Sequence, residues 1–184
     1  MKDAGAQPGF RVWDLVVRIG HWGLVGSVAV AWWTRAGGAE WHERIGYLSL
    51  ALVALRLVWG WTGTRYARFS QFVRSPAGVW RYARQVWRHQ EPRHLGHNPL
   101  GGWMIVALLL NIALVGTTGW LYTTDEYWGV KWVDQLHYAL AVSLLVLVAL
   151  HVCGVIVASR RHRENLVAAM VHGGKRLPAG DDVA

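Results

Sequence analysis

DQLHYALAVSLLVLVALHVCGVIVAS, residues Asp134–Ser159, is apolar almost throughout and places His137 near its start and His151 fourteen residues later. In a helix of about 3.6 residues per turn that interval is just under four turns, so both imidazoles project to roughly one face at levels about 21 Å apart. The segment is long enough to cross the roughly 30 Å apolar core of a bilayer. A polar, metal-binding side chain at such depth needs a purpose, and the rest of the chain should then supply one partner for each histidine.

Composition agrees with a membrane setting. Of 184 residues, 53% are hydrophobic and only 16% charged, which suits about four spans with short connections better than a soluble domain. Thirteen tryptophans fit membrane interfaces, where the amphipathic indole is favoured. The net charge of +8 sits beside apolar segments rather than along a soluble face, so no nucleic-acid partner is expected. A single cysteine, Cys153, excludes an internal disulfide and a cysteine cage for zinc or iron–sulfur, and it is expected to pack as a small hydrophobe. The polar residues 1–11 and the first apolar segment lack the pattern of a cleaved signal.

The expected architecture is all-α: an integral membrane four-helix bundle forming one domain over residues 1–184, with spans at about 12–33, 42–61, 99–121 and 134–159. In the first span Asp14, Arg18 and His21 recur at helical spacing and share one side. Gly20, Gly23 and Gly26 there admit either a neighbouring helix or a flat macrocycle. His42 opens the second span. Arg56, deep in it, must snorkel or meet an anion, with Asp14 or a cofactor carboxylate as candidates.

Seven arginines follow between Arg65 and Arg93, and residues 76–89 read as a surface helix with Val79, Tyr82, Ala83, Val86 and Trp87 on one side, lying against anionic headgroups. His89 and His94 are not expected to be ligands. His97, ahead of Asn98 and Pro99, suits a helix cap or contact with a cofactor carboxylate or a quinone. Asn111, Thr117 and Thr118 suit interhelical hydrogen bonds. Residues 165–171 could form one more surface helix, and 181–184 are expected to fray.

Outside the spans, fourteen Lys and Arg fall on the side of the termini and the long loop, against Arg35, Arg44 and Lys131 opposite. The positive-inside rule places both termini in the cytoplasm of a multi-pass bacterial inner-membrane protein. His21 lies ten residues after Arg11, and His151 nine before Arg160, so their depths agree to within about 2 Å. His42 and His137 both lie near the outer boundary. Four histidines thus form an inner pair, His21 with His151, and an outer pair, His42 with His137. Two neutral imidazoles per metal fill both axial positions of a haem iron, which then moves single electrons. With no C-x-x-C-H in the chain, the haem would be of b type. Zinc would need four ligands converging on one point.

The runs R-I-G-H-W at Arg18–Trp22, G-T-R-Y-A-R-F at Gly63–Phe69, G-H-N-P-L-G-G-W at Gly96–Trp103, and L-H at Leu136–His137 and again at Leu150–His151, with R-E-N-L following at Arg163–Leu166, resemble the bacterial cytochrome b561 family. The resemblance is nearest to di-haem b-type subunits associated with nickel–iron hydrogenases, and it covers about residues 8–177. It implies that His21, His42, His137 and His151 are the haem ligands. It also implies electron transfer across the membrane between quinone and a periplasmic redox protein, a cytochrome c or hydrogenase-like subunit. Arg18, Arg56, Arg68 and His97 are candidates for propionate or quinone contact. The chain would be an electron-transfer subunit in contact with lipid and open to forming a homodimer. Two other functions remain open: a self-contained oxidoreductase acting on quinol, superoxide or a ferric substrate, and a non-redox metal or proton transport subunit.

Overall fold

The computed structural model describes residues 10–180 and 182–183; Lys2, Asp181 and Ala184 lie outside the described residues. In chain order the helices are α1 (Leu15–Thr34), α2 (Ala39–Thr62), α3 (Phe69–Phe72), α4 (Pro76–Trp87), α5 (Pro99–Tyr122), α6 (Lys131–Arg161) and α7 (Leu166–His172). An antiparallel ribbon pairs β1 (Phe10–Arg11) with β2 (Gly174–Lys175), which fixes both ends of the described chain on one side of the bundle. Four helices, α1, α2, α5 and α6, are long and apolar enough to cross a membrane. The protein is therefore a helical membrane bundle, with outward-facing Val58, Leu110 and Leu150 suited to lipid contact.

Local chemistry sets the helix starts. Asp14 accepts from Val17 N at 2.9 Å, Asn98 from Gly101 N at 2.8 Å, and Asn165 from Ala168 N at 2.9 Å, each satisfying a backbone donor that has no partner within the helix. Asn98, and not His97, is thus the cap of α5. Proline opens α4 and α5, where a missing N–H costs nothing. Helix α6 runs 31 residues, about 46 Å, so its basic end at Arg160 and Arg161 stands clear of the apolar layer.

The spans begin or end a few residues from the expected bounds. Val12 and Trp13 are not helical but buried, packing with Val17, Tyr66, Ala67, Leu95 and Ala169 into a core that caps the terminal end. At the opposite end α2 already includes Glu40, and α6 begins at Lys131. The surface helix stops at Trp87, because His89 takes a left-handed conformation with φ 57°. Its Tyr82, expected on a face turned to the headgroups, is instead buried within the protein, whereas Trp87, expected on the same side, is 87% exposed.

Two further expectations are corrected. Cys153 is exposed on α6 rather than packed, because the face it shares with Leu150 and Val157 looks outward. Residues 182–183 do not fray. Asp182 forms an ion pair with buried Arg93, and Leu95 N donates to Val183 O at 2.9 Å.

Packing along the bundle runs α1 on α2, α2 on α5 and α5 on α6. A central core of Val53, Leu109, Ile112 and Leu144 holds this row together. Side-chain hydrogen bonds cross it, Ser49 to Ser27 at 3.0 Å and Asn111 Nδ2 to Ser143 Oγ at 2.6 Å, as polar groups in an apolar layer require. Helix α6 makes no comparable packing with α1 or α2. Space is therefore left along the two interfaces that the paired histidines face.

Candidate functional site

The four histidines meet in twos across those loosely packed interfaces. His21 on α1 faces His151 on α6 with ring centroids 6.4 Å apart and planes at 53°. Toward the other end of the bundle, His42 on α2 faces His137 on α6 with centroids 6.0 Å apart and planes at 77°. A metal bound at about 2.0 Å to one nitrogen of each ring, each nitrogen lying about 1.1 Å from its ring centre, separates the two centres by about 6 Å. The 6.4 and 6.0 Å separations of the two pairs match that span.

Hydrogen bonds orient the second pair. His42 Nδ1 lies 2.9 Å from Ala31 O on α1, and His137 Nδ1 lies 3.1 Å from Val115 O and 3.2 Å from Thr118 Oγ1 on α5. A carbonyl can only accept, so each Nδ1 carries the proton and donates it, which leaves Nε2 with the lone pair that binds a metal. Thr118 keeps its own proton for Leu114 O at 2.9 Å. Behind the ring stands Gly119, whose absent side chain is what lets His137 sit against α5: a Cβ there would lie 3.1 Å from His137 Cε1.

The first pair is arranged differently. His21 Nδ1 is buried with no hydrogen-bond partner. Beside it Gly20 is buried, yet a Cβ on it would meet nothing within 4 Å, so the chain encloses open space at this level. Gly23, by contrast, packs on Leu52 of α2 at 3.1 Å, the helix-contact role.

Three more polar atoms at the terminal end are buried without partners: Arg18 Nε, Arg56 Nη1 and His97 Nδ1. Unmatched buried donors are costly, and together they suit a bound anionic group. Arg18 otherwise donates to Val171 O, tying α1 to α7. Arg56 donates to Ala67 O at 3.0 Å and lies 5.0 Å from the Phe69 ring centre. It forms no ion pair with Asp14, whose carboxylate is taken by Trp59 Nε1 at 3.0 Å and Thr64 Oγ1 at 2.6 Å. Burial pushes the Asp14 carboxyl up, but those bonds and the backbone donors of α1 outweigh it and hold it below the usual range.

His97 packs, tilted, between Trp13, at 4.4 Å, and Phe72, at 4.9 Å. Burial, then the charges of Lys175 and Arg56, hold it neutral, well below the ordinary histidine range. Arg68 is not gathered with these residues: it donates through Nε to Gly63 O at 2.8 Å and lines a separate open cavity with Arg65.

Among the described residues no three or more His, Cys, Asp or Glu converge as if to cage a metal ion alone. Each histidine pair could supply two ligands across a gap, which would leave the other coordination positions to a group the metal brings with it. A planar macrocycle carrying its own four nitrogens matches that donor set. Positions that spacing could not single out are the carbonyls of Ala31 and Val115, Thr118 as a hydrogen-bond acceptor and Gly119. The run T-T-G at 117–119 was the available signal for the last two.

A family model described as prokaryotic cytochrome b561 matches residues 12–173. No curated protein and no solved structure matches the chain.

Proposed function

The chain belongs to the prokaryotic cytochrome b561 family, and so is a membrane b-type cytochrome of electron transfer; on that premise we propose that it carries two b haems, one held by His21 and His151 and the other by His42 and His137. Each bound haem supplies reversible one-electron transfer. The observation that carries the assignment is the pair of histidine gaps, 6.4 and 6.0 Å between ring centres, at two levels of the bundle.

The chain's own residues then have separate tasks. His21, His151, His42 and His137, as neutral imidazoles, would hold the haems, and two such ligands to each metal would keep oxygen and other small ligands off it. The Ala31 and Val115 carbonyls fix the His42 and His137 rings through Nδ1. Arg18, Arg56 and His97 present their unpartnered donors to the propionates of the haem at the terminal end. His97, at the edge of that site, also suits contact with a quinone head.

Fourteen of the nineteen Lys and Arg lie outside the spans on the terminal side, which supports placing that side in the cytoplasm. Electrons would then pass between a periplasmic redox protein, of cytochrome c or hydrogenase-like type, and quinone. The test is ligand replacement with redox-difference spectra. His42→Ala and His137→Ala should each remove one and the same haem component, and His21→Ala and His151→Ala the other. Loss of the same component in His42→Ala and His151→Ala would overturn the pairing.

A further inference from the structure

We propose that the cavity between Arg65, Arg68, Ser70 and Gln71, at the end of the second span, is a headgroup site for an anionic phospholipid. The cavity measures about 310 Å³ and has no carboxylate in its lining. Of the other cations at this end of the molecule, Arg93 pairs with Glu164 and Asp182, and Arg161 with Glu91; Arg74, Arg81, Arg84 and Arg88 form no ion pair among the described residues but line no such cavity. Arg65 and Arg68 have no acidic partner among the described residues.

Both guanidinium groups are nonetheless anchored. Arg68 Nε donates to Gly63 O at 2.8 Å, which leaves its terminal nitrogens for a ligand. Arg65 lies 5.5 Å from the ring centre of buried Tyr66. The Gln71 side-chain oxygen is buried without a partner. It lies toward Gly96, away from the opening of the cavity. Two guanidinium forks with the Ser70 hydroxyl beside them match the oxygens of a phosphodiester.

The surroundings favour a lipid over a free phosphate ion. The last turns of α2, directly ahead of the cavity in the chain, expose Leu57, Val58 and Trp61, the last at 78%. An amphipathic molecule satisfies both surfaces at once, with acyl chains along α2 and phosphate between the arginines. This inference concerns a different surface from the histidine pairs and does not depend on how many haems they hold.

The test uses the intact chain in neutral detergent and native mass spectrometry, with dioleoyl-phosphatidylglycerol, dioleoyl-phosphatidylcholine and inorganic phosphate as probes. Phosphatidylglycerol should be retained in preference to phosphatidylcholine. Each arginine near an anionic surface contributes about fivefold, so Arg65→Gln should weaken retention about fivefold and Arg65→Gln with Arg68→Gln about thirtyfold. Arg65 makes no hydrogen bond that the fold depends on, so the single variant stands as the test even where the double one does not fold. Equal retention by Arg65→Gln and the unaltered chain would overturn the proposal, as would equal affinity for the two lipids. Displacement of phosphatidylglycerol by millimolar phosphate would overturn the lipid assignment in favour of a free anion.

Discussion

Gly119→Ala should loosen one haem while leaving the protein's fold intact. The new Cβ would stand 3.1 Å from His137 Cε1 and 3.4 Å from Nδ1, inside ordinary carbon contact by about 0.5 Å. Because α5 is continuous backbone, the ring gives way, and its Nδ1 bonds to Val115 O and Thr118 Oγ1, at 3.1 and 3.2 Å, are already at the long end of the useful range. Weakening an outer-shell partner of this kind typically costs about 10–100-fold in metal affinity, or about 1.4–2.7 kcal/mol. Alanine meanwhile favours helix over glycine by up to about 1 kcal/mol, so the fold itself is not weakened. Haem quantification with potentiometric titration should show lower occupancy of the His42–His137 component, the other unchanged, and no fall in apparent Tm. Loss at the His21–His151 component instead, or equal loss at both, would refute the reasoning.

Gly102→Ala tests packing alone: its Cβ would lie 2.6 Å from the backbone oxygen of fully buried Phe72. It should lower apparent Tm by the effect of about 1–3 kcal/mol of overpacking, weakening both haem signals together. Arg93→Met leaves Asp182, with its side chain only 6% exposed, without its cation and Glu164, at 7%, with Lys175 alone at 3.9 Å. A loss of about 3–5 kcal/mol should free the tail, which limited proteolysis after Glu164 will report. Lys175 is held down to about 8 from 10.5, first by burial. Between those values the unfolded chain keeps a proton that the folded chain has released, so stability should rise with pH from about 8 to 10.5. Apparent Tm measured across that range should show the rise, and Lys175→Met should lack it.

The histidines were legible because helical spacing is regular: a fourteen-residue interval fixes face and depth before any contact is known, and the charge-rich ends give each span a reference level. Helix ends were less legible. Glu40 and Lys131 look like loop residues by hydropathy, but α2 and α6 extend through them beyond the apolar layer. The site's supporting groups were illegible for a different reason, since carbonyls such as Ala31 O and Val115 O are present at every residue and only tertiary packing selects one. Arg93 looked like one more solvated arginine, yet its partners Glu164 and Asp182 lie 71 and 89 residues away in sequence. Arg56 was marked as having to snorkel or meet an anion, and the candidate acid, Asp14, is engaged by Trp59 and Thr64.

Two histidine pairs holding two haems at two levels of one bundle fix a stoichiometry that can be measured. The most direct measurement is the haem-to-chain ratio of the purified protein, taken with its low-temperature absorbance and magnetic circular dichroism spectra. The account predicts two b haems per chain, both low-spin with two imidazole ligands. A ratio of one, or a high-spin haem with an open coordination position, would contradict it.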